Sequence, residues 1–146
     1  MTSQDAIVLT GQCHCGSVRA EFHLGRPVSA IQVRACQCGF CRRHGAATAA
    51  DPSGRLVITS GRPLIRYRFG AGALDMLICA ACGVYVAALL EAEGRALATV
   101  NVAGLAMAPL DGNAPAPIDY DAEGGASRLQ RRLGGWTPVL VSEADG

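Results

Sequence analysis

The placement of the cysteines constrains this chain more than any other feature. Seven of them stand in three tight groups, Cys13-His14-Cys15, Cys36-Gln37-Cys38-Gly39-Phe40-Cys41 and Cys79-Ala80-Ala81-Cys82. They read as four metal ligands plus three. Zinc sites that serve structure are closed by four protein ligands, whereas sites that act on a substrate keep three and leave one position open. The other reading is a disulfide framework, which calls for an oxidising compartment and an even cysteine count. Seven is odd. Residues 1–11 carry no basic start, long apolar stretch or small-residue cleavage site, so the expected location is cytoplasmic, where thiols stay reduced. Two cysteines separated by one residue are also badly placed to bridge to each other.

At 146 residues the chain is expected to form one domain, 1–146, with a metal-binding core at about 8–104 and a loop and tail at 105–146. Half of the residues are apolar but only 5% are aromatic, so the core is expected to be small and a bound metal to add folding free energy. No apolar run approaches the ~18 residues of a membrane span. The formal charge is +1, and every basic residue is an arginine. Seven thiolates and two zinc ions would add about −3, taking the metal-loaded chain to about −2. With the arginines scattered, neither a nucleic-acid partner nor a membrane is expected. The absence of lysine excludes Schiff-base catalysis.

Strand signals dominate the cysteine-bearing part. Val18, Ala20 and Phe22 alternate with polar residues, and Ile65, Tyr67 and Phe69 alternate with Arg66 and Arg68, which predicts half-buried antiparallel strands. Turn residues at 51–54 and 60–63 flank a short strand at Leu56-Val57-Ile58. The apolar run Val84–Leu90 ends at Glu93-Gly94, after which 96–102 is expected to pair back as a hairpin. Pro109, Gly112, Pro115 and Pro117 predict a surface-crossing loop. A short helix is expected at Ser127–Leu133, with Ser127 as N-cap, and Trp136 is expected to pin the tail against the sheet.

Cys13, Cys15, Cys79 and Cys82 belong to two ligand-bearing turns, each followed at once by a glycine, Gly16 or Gly83. Together they can close a tetrahedral four-sulfur site that pins the start of the domain to its late hairpin. Cys36, Cys38 and Cys41 offer three thiolates on one loop. A second structural zinc there would need a fourth ligand, for which His44, His14 and His23 are the candidates. A metal-free redox cluster is disfavoured, because three soft ligands so close capture a thiophilic ion.

These pieces resemble the family of glutathione-dependent formaldehyde-activating enzymes, which also includes centromere protein V. The resemblance rests on Gly11-Gln12-Cys13-His14-Cys15-Gly16-Ser17-Val18, on residues 36–45 from Cys36 to Gly45, on Cys79-Ala80-Ala81-Cys82-Gly83 and on Val100-Asn101-Val102. Gln37 stands where histidine is common. The resemblance implies a mainly β, single-domain β-tent of antiparallel hairpins with a short C-terminal helix. It also implies a structural zinc on Cys13, Cys15, Cys79 and Cys82, and a second zinc on Cys36, Cys38 and Cys41. The implied activity is a carbon–sulfur lyase step joining glutathione or a similar thiol to formaldehyde or another small aldehyde. Three thiolates make zinc a weak Lewis acid, so a substrate thiol is a more natural fourth ligand than hydroxide. Arg42 and Arg43 are candidates for attracting a carboxylate of the thiol substrate, since the guanidinium fork suits carboxylates. The alternative is a non-catalytic, zinc-stabilised binding or scaffold module.

Overall fold

The structure of the protein, a computed structural model, describes residues 7–110 and 112–144. Residues 1–6, which carry part of the leader reading, lie outside the described residues. No described helix is long and apolar enough to cross a membrane.

The fold is mainly β, with eleven strands in one sheet among the described residues. Alternating apolar residues give β2 (Val18–Leu24) one buried face, with Val18, Ala20, Phe22 and Leu24 inside. It pairs antiparallel with β1 (Ile7–Gln12) on one side and with β5 (Arg55–Ser60) on the other. The run in β8 (Tyr85–Ala92) does not alternate because the strand is buried on both faces. Val86 and Leu89 enter the main core, whereas Tyr85, Ala88 and Leu90 join a second cluster with Cys41 and Trp136. β8 returns as β9 (Arg95–Asn101) through Glu93 and Gly94, both at positive φ (54° and 72°), the turn geometry that matches strand twist. The predicted hairpin is therefore present.

β9 is the junction of the sheet. One edge holds β8; the other holds β4 (Thr48–Ala49) and the start of β11 (Thr137–Glu143). Beyond Pro138, β11 leaves β9 and runs parallel to β5, so it stitches the β1-β2-β5 layer to the rest. β3 (Val33–Cys36) pairs with β4, and β6 (Ile65–Tyr67) and β7 (Asp75–Ile78) extend the sheet outward from β8. The two α-helices among the described residues are short: α1 (Gly39–Arg43) follows β3, and α2 (Gly125–Gly135) precedes β11.

Several local expectations need correction. Ile65, Tyr67 and Phe69 are exposed rather than half-buried, because β6 is an edge strand bonded to β7 alone. Tyr67 and Phe69 instead stack against Phe40 of α1, with centroids 5.8 and 5.4 Å away. The proline-rich loop contains a strand, β10 (Ala116–Ile118), parallel to β3. The C-terminal helix begins two residues before Ser127, its N-cap is Gly124, and no side chain caps it. Leu129 and Leu133 do share its packed face, and Trp136 is buried as expected.

Two buried polar side chains hold the strand junctions. Asn101 at the end of β9 donates Nδ2–H to the Tyr85 carbonyl (2.9 Å) and accepts the Ala47 N–H (3.1 Å). Asp51 accepts from the N–H groups of Gly25 and Ser53, from Ser53 Oγ and from Arg26 Nε. Its own N–H donates to Thr137 Oγ1 at 2.7 Å, tying the turn before β5 to the start of β11. Burial raises the Asp51 pKa, but these donors outweigh it and hold the carboxyl below its usual range.

Replacing Asn101 by alanine removes the partner of the buried Tyr85 carbonyl and of the partly buried Ala47 N–H and is expected to cost about 1–3 kcal/mol, read as a lower urea midpoint. For Asp51 the folded pKa lies below the unfolded one. Its contribution is therefore complete above the ordinary carboxylate value of about 4 and is lost as pH falls from there through the folded value. Melting temperatures of wild type and Asp51→Asn measured from pH 7 to pH 3 should differ most at neutral pH and converge toward pH 3.

Candidate metal centres and active-site cavity

The first centre is built by two turns of similar design. In one, Cys13 follows β1 and Cys15 sits in the turn to β2; in the other, Cys79 follows β7 and Cys82 precedes β8. In each, the glycine after the second cysteine donates its N–H to the carbonyl of the first: Gly16 to Cys13 at 3.1 Å and Gly83 to Cys79 at 2.9 Å. Both glycines adopt positive φ, 83° and 80°, which a Cβ would strain. The four sulfurs lie within 4.8 Å of one another, and two measured separations, Cys13–Cys15 and Cys15–Cys79, are 3.7 Å. Zinc–sulfur bonds of ~2.3 Å at tetrahedral angles put neighbouring sulfurs about 3.8 Å apart, so the cluster has the dimensions of a zinc site rather than of disulfides. All seven cysteines are free.

The electrostatics of this centre favour thiolates in part. Burial raises the Cys13 pKa. Burial also opposes ionisation of Cys79, but hydrogen bonds from Ser17, from the Cys82 and Ala81 N–H groups and from the Cys82 thiol outweigh it and bring Cys79 to about 6. Ser17 Oγ lies 3.2 Å from the Cys15 sulfur and 3.3 Å from that of Cys79.

The second centre is local in sequence. Cys36 ends β3, Cys38 is the N-cap of α1 with its sulfur accepting the Cys41 N–H, and Cys41 is buried inside the helix. Their sulfurs also fall within 4.8 Å of one another. A hydrogen bond from the Cys41 thiol lowers the Cys36 pKa to about 6 against the cost of burial, and the same bond and burial push Cys41 well up. Metal ligation would require these thiols to give up their protons. Among the described residues no histidine, carboxylate or fourth cysteine joins them. His44 caps the C-terminus of α1 and lies tilted against Phe40, centroid to centroid 4.4 Å; His23 contacts Glu21 and Arg55; His14 is exposed.

Cys36, Cys38 and Cys41 open onto a cavity of about 560 Å³. Its floor is the face of β7, β8 and β9 that carries Met76, Tyr85, Ala88, Leu90 and Thr99, and its roof is α2 with Leu129 and Trp136. Burial, together with the charge of the nearby Cys41, Cys36 and Cys38, keeps the Tyr85 phenol protonated well above its ordinary range. The arginines that line the cavity are Arg34, Arg128, Arg131 and Arg132. Arg42 and Arg43 are exposed on α1 outside that lining, and Arg43 Nη1 donates to the Gly39 carbonyl at 2.9 Å.

Three of these, Arg128, Arg131 and Arg132, escaped the sequence reading because they belong to an amphipathic helix whose charges look like an ordinary solvated face. The spacing Arg128, Arg131, Arg132 is the one signal that places three cations on adjacent turns.

The profile of the glutathione-dependent formaldehyde-activating enzyme family matches residues 8–118. Among solved structures, the crystal structure of a Rhodobacter sphaeroides protein is similar to this one, with 32% sequence identity and a TM-score of 0.59. The similarity covers 75% of this chain and 100% of that one. No curated protein sequence matches the chain significantly. The profile match takes in well over half of the chain and carries both cysteine centres. By that match, the chain belongs to the glutathione-dependent formaldehyde-activating enzyme family.

Proposed function

We propose that the protein is a zinc-dependent enzyme that adds a thiol, glutathione or a relative, across the carbonyl of formaldehyde or another small aldehyde. The observation that carries this reading is the contrast between the two centres. One is closed by four sulfurs, and the other presents three to a cavity large enough for a tripeptide thiol. When bound by Cys36, Cys38 and Cys41, zinc supplies the charge that keeps a fourth, substrate sulfur ionised near neutral pH.

The chain's own groups would do the rest. Leu74, Met76, Ala88 and Leu90 form an apolar wall that limits water beside the reacting sulfur. Tyr85, held protonated, can donate to the oxygen that gains charge as the carbon–sulfur bond forms. The sulfur lone pair makes that bond, the carbonyl π pair moves to oxygen, and the proton given up by the thiol ends on the new hydroxyl. The non-catalytic scaffold reading calls for a fourth protein ligand at the second centre, and among the described residues none accompanies the three.

Metal analysis is expected to find two zinc ions per wild-type chain and one in Cys36→Ser, with the Cys36→Ser protein still folded. Cys79→Ser should instead lose cooperative melting, because a four-sulfur structural site contributes on the order of 10 kcal/mol. NMR exchange spectroscopy on equilibrated formaldehyde and glutathione tests the activity. Zinc-loaded wild type should accelerate exchange and Cys36→Ser should not; no acceleration by wild type would shift the reading to a zinc-stabilised binding module.

A further inference from the structure

The roof of the cavity lies outside the segment shared with the family. The profile match ends at Ile118, whereas α2 and Trp136 follow it. The three α2 arginines in the cavity wall are not equivalent. Arg131 is committed to Glu123, its Nε 3.0 Å from Oε2 and its Nη2 3.0 Å from Oε1, and its guanidinium lies 3.8 Å from the Tyr120 ring centroid. Arg128 donates to the carbonyls of Tyr120 (3.0 Å) and Glu123 (3.1 Å). On the opposite wall Arg34 donates to Gln32.

Among the described residues Arg132 has no such partner. Its Nε is buried and makes no hydrogen bond, while its guanidinium sits 5.4 Å from the Trp136 ring centroid. A buried guanidinium N–H left unpaired is costly, and such groups call for a ligand. Burial, then repulsion from Arg131 and Arg128, lowers the Arg132 pKa only to about 10, so the group stays cationic at neutral pH. The acidic side chain among the lining residues is Asp121, which is exposed.

We infer that Arg132 is a specificity-determining residue that takes a carboxylate of the thiol substrate, so that α2, an element outside the family match, selects anionic thiols over neutral ones. The inference rests on the thiol-binding reading of the three-cysteine centre. Arg128 and Arg131, locked by Glu123 and Tyr120, act as positioning residues: they hold α2 over the cavity and, by engaging Glu123, keep that carboxylate from pairing with Arg132. The cavity that carries both the three cysteines and Arg132 is also lined by Leu74, Met76, Ala88 and Leu90, which suit the neutral stretch between sulfur and carboxylate in a peptide thiol.

Trp136 is the single tryptophan and lines the cavity beside Arg132, so its fluorescence reports binding there. Zinc-loaded wild type, Arg132→Gln and Arg132→Lys would be titrated with glutathione and with glutathione diethyl ester, which keeps the thiol and masks both carboxylates. Wild type should bind the free acid on the order of tenfold more tightly than the ester, the worth of one charge-assisted contact. Arg132→Gln should bind both at the ester's affinity, and Arg132→Lys should fall between, with melting curves confirming that the variants fold. Arg132→Gln keeping the wild-type preference would overturn the inference and leave the thiol site standing. A fall in affinity for acid and ester alike would also overturn it, assigning the charge to the cysteine thiolates. Should Arg132→Gln fail to fold, an undiminished preference in Arg132→Lys would overturn it in the same way. Wild type binding neither compound would remove the thiol-binding reading itself.

Discussion

Four thiols from two turns 64 residues apart in sequence meet within 4.8 Å of one another, close enough to hold one metal ion, and the two hairpins that carry them are joined at that meeting. Left protonated, the four groups would attract one another only through weak S–H contacts. Held around zinc they would contribute on the order of 10 kcal/mol, comparable with the whole net stability of a domain this size. A core with so few aromatic side chains has correspondingly less to offer by burial alone. The two turns join the β1–β2 hairpin to β7 and β8, and β7 and β8 are in turn the floor of the cavity. The same strands therefore link the four-cysteine cluster to the cavity beside the three-cysteine one, with Asn101 bonded to the start of β8 at Tyr85.

The cysteine clusters were legible in the sequence because their chemistry is local: each pair or triplet occupies a few residues, and the glycines after Cys15 and Cys82 announce the turns. The β8–β9 hairpin was legible for the same reason, since Glu93-Gly94 marks a tight reversal between two apolar runs. Other features depend on partners far along the chain. β11 reads poorly as a strand, with Pro138 near its start, and is a strand because β5 and β9 each offer an open edge. β10 lies among prolines and exists because β3 has a free side. Ile65, Tyr67 and Phe69 show the opposite failure: their period was read correctly as a strand, but periodicity does not say whether another layer covers it.

The same division applies to the candidate site. The cysteine clusters could be read off the chain, whereas the placement of the α2 arginines in the cavity wall could not. Proximity in sequence drew attention to Arg42 and Arg43, directly after Cys41, but a helix as short as α1 turns successive side chains to different sides. The arginines brought near Cys36 come from about ninety residues later, delivered by α2 once β11 has docked.

The position of β11 has a consequence for how the chain acquires its structure. β5 and β9 are far apart in sequence, and the strand that joins them comes later than either, one of its pairings being the kind of parallel contact that forms slowly. Until residues 137–143 arrive, β5 carries an unpaired edge able to capture the same edge of another nascent chain. The polypeptide emerging during synthesis is thus exposed to aggregation for as long as that strand is missing. Early capture of metal by the two glycine-terminated turns would shorten this interval by fixing the flanking hairpins in advance.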